Sequence, residues 1–402
     1  MLFPTPPAPK PQPTVARLKL VEAIADIPAL AWDACAGAAN PFVSHAFLHA
    51  MEASGSVSSR TGWVPRHLVA EDTAGRIVGC VPLYLKGHSW GEYVFDHAWA
   101  DAFQRAGGSY YPKLQAAVPF TPVPGPRLLV APDAPGETRQ RLAEGLAEVA
   151  DRLGLSSVHV TFAEDADIDA LVAAGFLVRH GYQFHWHNRG YGHFDDFLND
   201  LASRKRKALR KEREAVAASG LTLRTLVGGQ IEPRHWDAFY DFYLATVDKR
   251  WGSAYLTRPF FDQIAETLAE KVVLMVAEEA GGTPVAGALN LRGADTLYGR
   301  NWGAVVDVPF LHFELCYYRA LDYAIAEGLP KVEAGAQGEH KLQRGYVPVR
   351  TRSAHWIGNP SFRRAVAGFL DKERPAVAEQ MAELLPLSPF KRGNDGLDSS
   401  GG

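Results

Sequence analysis

Two distant stretches of this chain end in the same way. Gly175-Phe176 is followed, ten residues after the glycine, by His185-Trp186; Gly345-Tyr346 leads at the same spacing to His355-Trp356. Upstream of each lies a short strand candidate, Ser157–Phe162 and Lys331–Gly335. Further upstream each half carries a hairpin signal, β-rich runs broken by Glu71–Gly75 in the first and Gly281–Pro284 in the second. An aromatic strand follows in both, Tyr93–Trp99 and Tyr298–Trp302. The shared order is hairpin, aromatic strand, helix, short strand, glycine turn, last strand. That repetition predicts an α+β chain built as two tandem copies of one unit. Its 402 residues also exceed what one core usually serves.

The expected organisation is a proline-rich leader over 1–17, a first domain over 18–190, a second over 191–387 and a polar tail over 388–402. The boundary falls where Asn188–Gly192 breaks any regular element. Helices are expected over Glu137–Leu153, over Phe194–Ala218 as one long basic helix, over Pro233–Lys249 and over Phe310–Glu327.

A net charge of −3 gives no global pull toward nucleic acid or anionic membrane, so such contacts need a local patch. Cys35, Cys80 and Cys316 lie far apart without CxxC spacing, which suits a reduced thiol protein. The N-terminus lacks the charged and apolar regions of a signal peptide, and no uncharged apolar run approaches about 18 residues. The expectation is a cytoplasmic protein with at most a peripheral contact at the inner membrane. Tight cofactors are not expected. His185, His187 and His193 lack a strong metal spacing, so no metal site is expected.

Two segments carry a resemblance: Lys331–Tyr346, with Glu333-Ala-Gly-Ala-Gln-Gly-Glu-His-Lys341 at its centre, and Tyr298–Gly303. With Leu311–Tyr318 between them and the basic run Arg204–Arg213, the chain resembles the GNAT acyltransferase superfamily in its tandem FemAB-like form. Residues 20 to 385 share the likeness, and among relatives it is most similar to the bacterial ceramide synthase. The resemblance implies two GNAT-like domains and an N-acyltransferase. It implies acyl-CoA as co-substrate and a lipid-like amine, such as a sphingoid base, as acceptor. Relatives that take aminoacyl groups from tRNA supply the alternative, a transferase acting on a peptide or cell-wall precursor. One departure stands out. The superfamily's glycine-rich phosphate loop is replaced here by Ala304–His312, which has no glycine.

Amine acylation needs a base, donors for the tetrahedral oxyanion and a proton for the leaving thiolate. Candidates for proton transfer are Glu333, Glu339, His340 and His312. Glu333 would be a carboxylate amid small strand residues, and His340 is the side chain most easily tuned near neutral pH. Tyr298, Arg300, Trp302, Gln337, Lys341 and Arg344 are the candidate substrate contacts. Arg300 sits among aromatics and calls for a partner, for which Glu333 or Glu339 is the expectation. Cys316 reads as a packed thiol, and no nucleophile elbow is present, so direct attack is the simpler mechanism.

Arg204, Lys207 and Lys211 share one helix face by their spacing. They read as a solvated face, a donor-phosphate clamp, a lipid-headgroup contact or a tRNA contact. Aromatics crowd residues 90–111 and 239–251, enough to build core and to line an apolar groove between the halves. The first half, without an Arg300 equivalent or the Glu-His-Lys loop, reads as the copy that completes the cleft.

Overall fold

The computed structural model describes residues 14–249, 254–335 and 338–391, with the backbone alone at Lys249 and Glu339. Fifteen strands are named in order. The first half contributes β1 (Val15–Val21), β2 (Trp63–Pro65), β3 (His67–Asp72), β4 (Ile77–Val81), β5 (Leu83–Lys86), β6 (Lys113–Ala116), β7 (Leu129–Val130), β8 (Ser157–Val160) and β9 (Leu177–His187). The second contributes β10 (Thr222–Val227), β11 (Val272–Glu278), β12 (Pro284–Arg292), β13 (Thr296–Ala304), β14 (Lys331–Glu333) and β15 (Val347–Ile357). The main sheet runs β10-β11-β12-β13-β14-β9-β15-β8-β6-β5-β2, and a second sheet runs β1-β3-β4-β7.

The two halves exchange their last strands. β9 lies between β14 and β15, and β15 lies between β9 and β8. The register makes the duplication visible. Gly181 pairs with Thr351, its own counterpart in the repeat, so a pseudo-two-fold axis passes between them. By the same symmetry His185 faces Glu333 while His355 faces His159. Glu333 and His159 are therefore equivalent positions carrying different chemistry. The fold is α+β, two units related by duplication.

Sequence expectations and structure part at two elements. The aromatic stretch Tyr93–Trp99 forms no strand; from His97 to Arg105 it is a helix. Trp99, Ala100 and Phe103 (i, i+1, i+4) share a helical face and pack with Tyr110 against Val366 and Leu370 of the helix Pro360–Leu384. The strand equivalent to β13 is instead β6, parallel to β8 as β13 is to β14. The single basic helix expected over Phe194–Ala218 is broken into Phe194–Asp200 and Ser203–Ala217. The segment Pro389–Phe390 pairs with the backbone at the break. Leu201 bridges to Phe390, and the Ala202 amide donates to the Pro389 carbonyl at 2.9 Å.

The helix Pro233–Lys249 lies directly on β12 and β13. Gly287 and Gly303 permit this approach, since a Cβ at Gly303 would overlap the Phe242 backbone and one at Gly287 the Phe239 ring. The approach carries Tyr243 to the open end of β13. Among the described residues no helix is long and apolar enough to cross a membrane.

Candidate active site

β13 and β14 pair in parallel only over Thr296–Tyr298 and Lys331–Glu333. Beyond that point they separate, and a cavity of about 690 Å³ occupies the opening. β13 brings Arg300 and Trp302 to it; the segment after β14 brings Gly335, His340 and Lys341. A register shift against β12 pairs Gly299 and Asn301 with consecutive residues and leaves Arg300 as the extra residue of a bulge. The far wall comes from the first half, from Phe42, Tyr93 and the segment Phe120–Val123. Tyr243 and Tyr255 close the side, with Tyr255 stacked on Phe120 at 4.4 Å. Tyr93 and Phe120 both sit at positive φ (60° and 54°), unfavourable for bulky residues and held here by the packing around the cavity.

Four of the residues singled out in the sequence meet at one end of the cavity. His340 Nε2 is 2.8 Å from the Tyr317 hydroxyl, and partial burial, with Arg344 and Lys341 nearby, lowers its pKa. The ring is neutral near pH 7 and able to accept a proton. Lys341 is buried, its Nζ donates to the Gly335 carbonyl at 2.7 Å, and burial lowers its pKa to about 8. His312 lies between the Trp302 ring (5.2 Å) and the His340 ring (6.2 Å). Cys316 also borders the cavity, from a π-helical turn, and burial pushes its thiol far above the ordinary range.

Other expectations are redirected. Glu333 is buried beneath the cavity, not in its lining, with Lys331 Nζ 2.9 Å away and His185 Nδ1 at 3.9 Å. Burial raises its pKa, although Lys331 opposes the shift. It does not pair with Arg300, because strand alternation and the bulge direct the two side chains to separate neighbours. Tyr298 is core, edge-on to Phe42 at 5.3 Å. Arg344 binds no open surface: it donates to both oxygens of Glu212 (3.2 and 2.9 Å) and to the His340 carbonyl (3.0 Å), and covers Phe313. It fixes the turn that carries His340 and Lys341. Gln337 and the Glu339 side chain lie outside the described residues. Arg204, Lys207 and Lys211 stand exposed on the helix Ser203–Ala217, while Arg213 on that helix pairs with Glu314 and Asp322 at 2.9 and 2.7 Å. Among the described residues no group of His, Cys, Asp and Glu is placed to hold a metal.

The wall segment Phe120–Val123 was not among the sequence candidates. Its signal was present as alternating prolines, Pro119-Phe-Thr-Pro-Val-Pro-Gly-Pro126, which stiffen an extended chain. Gln183 holds it, donating to the Pro122 carbonyl at 2.7 Å.

A family model described as peptidoglycan biosynthesis/recognition, FemAB-like, matches residues 23–392. The chain belongs to the FemAB-like family. A crystal structure of a conserved protein of unknown function from Bacteroides thetaiotaomicron is similar, with 11% identity and a TM-score of 0.50, over 85% of this chain and 100% of that one. A tandem GNAT protein from the clavulanic acid biosynthesis pathway matches at 14% identity and TM-score 0.44, over 86% and 99%. FemX matches at 13% and 0.48, over 77% and 92%. A search of curated proteins returns no match. At these identities the likeness to solved structures is one of fold.

Proposed function

We propose that this FemAB-like protein moves an acyl group from a thioester, acyl-CoA as co-substrate, to a primary amine in the opening between β13 and β14. The observation that supports the reading is a single cavity bringing a neutral histidine and a lysine of lowered pKa against an aromatic wall. The amine nitrogen attacks the thioester carbonyl, and the His340 imidazole takes the proton the nitrogen loses. The tetrahedral intermediate collapses, the C–S bond breaks, and the leaving thiolate receives a proton from the Lys341 ammonium. His312 orients the reacting groups through Trp302 and His340. Phe42, Phe120, Tyr243 and Tyr255 suit a hydrocarbon chain, so long acyl chains and long-chain amines, a sphingoid base among them, belong in the substrate panel.

The exposed Arg204, Lys207 and Lys211 supply a contact for donor phosphates or anionic headgroups in place of the missing glycine-rich loop. The same face favours a second reading, an aminoacyl-tRNA donor. Thiol release is followed with acyl-CoAs of graded chain length and a panel of amines. Chain-length-dependent release with amide formation is expected. Absence of release with every pair, together with RNase-sensitive aminoacyl transfer, would establish the second reading instead.

A further inference from the structure

Among the described residues Arg300 has no carboxylate partner. Its Nη1 donates to Asn301 Oδ1 at 2.6 Å and its Nη2 to Thr121 Oγ1 at 3.3 Å, while its Nε is buried with no acceptor. The rings of Phe47 and Phe260 lie 5.4 and 5.1 Å from the guanidinium carbon. Among the described residues no carboxylate forms an ion pair with it; the groups that act on it electrostatically are the phenols Tyr255, Tyr93 and Tyr243. A partly buried guanidinium whose described partners are neutral oxygens and ring faces gains most when an anion arrives. Arg300 lines the same cavity as His340 and Lys341. The Tyr243 oxygen already accepts from the Tyr255 and Leu256 amides (3.1 and 3.2 Å), which leaves its own O–H to donate.

We propose that the amine acceptor carries a carboxylate, which Arg300 receives in a forked pair while Thr121 and Asn301 hold the guanidinium plane. The acceptor class is then an aminocarboxylate, an amino acid or a compound with that head. This rests on the acyl-transfer reading of the same cavity. One guanidinium in an aromatic box balances one negative charge; a phosphate dianion would leave a second charge uncompensated beside Phe47 and Phe260. The geometry of the fork matches a planar carboxylate. Thr121 belongs to the first half and Asn301 to the second, so acceptor recognition spans both copies.

The test compares amino acids with their amides and decarboxylated amines as acceptors, using the acyl-CoA that gives the fastest thiol release. The acid is expected to exceed its amide in kcat/KM by about 10²-fold or more, carried mainly by KM. Arg300→Gln is expected to abolish that ratio, and Arg300→Lys to keep part of it. Equal rates for acid and amide in the wild-type protein, or a ratio that survives in R300Q, overturn the proposal. Calorimetry of the same amino acids with donor-free protein separates the two readings. If no thioester turns over, the acyl-transfer reading falls; amino-acid binding that is lost in R300Q still upholds the carboxylate pocket, and equal heats in both proteins overturn it.

Discussion

The two halves open the same pair of parallel strands and use the opening differently. Past Tyr298 and Glu333 the second half leaves the cavity that holds His340, Lys341 and Arg300. Past Ala116 and Val160 the first half is filled. Arg127, fully buried, donates to the carbonyls of Thr161 (3.0 Å), Val123 (2.6 Å) and Pro126 (3.1 Å), and Gln115 donates to Thr161 Oγ1 at 3.0 Å. The filling segment is the one whose Phe120–Val123 stretch walls the other opening. Beside the axis the contrast repeats. Where the second half sets Glu333 against His185, the first sets His159 against His355, Nδ1 to Nδ1 at 2.6 Å. Burial drives both of those imidazoles neutral, the His355 pKa falling to about 3. One copy of the duplicated unit has closed its opening on its own backbone and become the wall of its partner's site.

Single substitutions can break this contrast. His340→Ala in the open half is expected to lower kcat by about 10²–10⁴-fold with the unfolding midpoint unchanged, since the side chain is exposed. Stopped-assay kinetics and thermal denaturation on the same preparation read both; an unaltered kcat would remove His340 from the mechanism. Arg127→Ala in the closed half should act the other way. Three carbonyls, two of them in buried hydrogen bonds, lose their donor, costing about 3 kcal/mol in chemical denaturation, while turnover per folded molecule persists. Large loss of turnover with intact stability would mean that the closed opening takes part in catalysis.

The pH profile sharpens the role of Lys341. Activity is expected to rise as His340 deprotonates below pH 6.5, and to fall as Lys341 loses its proton near pH 8. Lys341→Arg, which stays charged, is expected to remove the descending limb; a limb left in place assigns it to another group. The smallest effect is expected from Glu333→Gln. The amide keeps hydrogen-bonding capacity without a buried charge, so stability should change by less than about 1 kcal/mol and turnover by less than about threefold. A hundredfold loss would restore Glu333 as the base.

Much of the fold was legible in the sequence because it rests on local pattern. The His-Trp repeat, the hairpin runs and the helices Thr138–Arg152 and Pro233–Lys249 follow from spacing that any window of the chain displays. The cluster His312, His340 and Lys341 was legible as chemistry, since polar residues after a strand collect at its open end. The aromatic run at Tyr93–Trp99 misled because aromatic content favours strands while the burial of Trp99 and Ala100 against a distant helix decided otherwise.

What the sequence by itself determined is therefore the repeated unit and the charges of its second copy. Tertiary structure alone decided that β9 and β15 trade places, that a proline-rich segment of the first half walls the second half's cavity, and that Arg300 faces neutral oxygens instead of Glu333. The reason is physical: a partner across the sheet depends on which strands become neighbours. That choice is made by the collective burial and pairing of residues more than a hundred positions apart, and no local pattern encodes it.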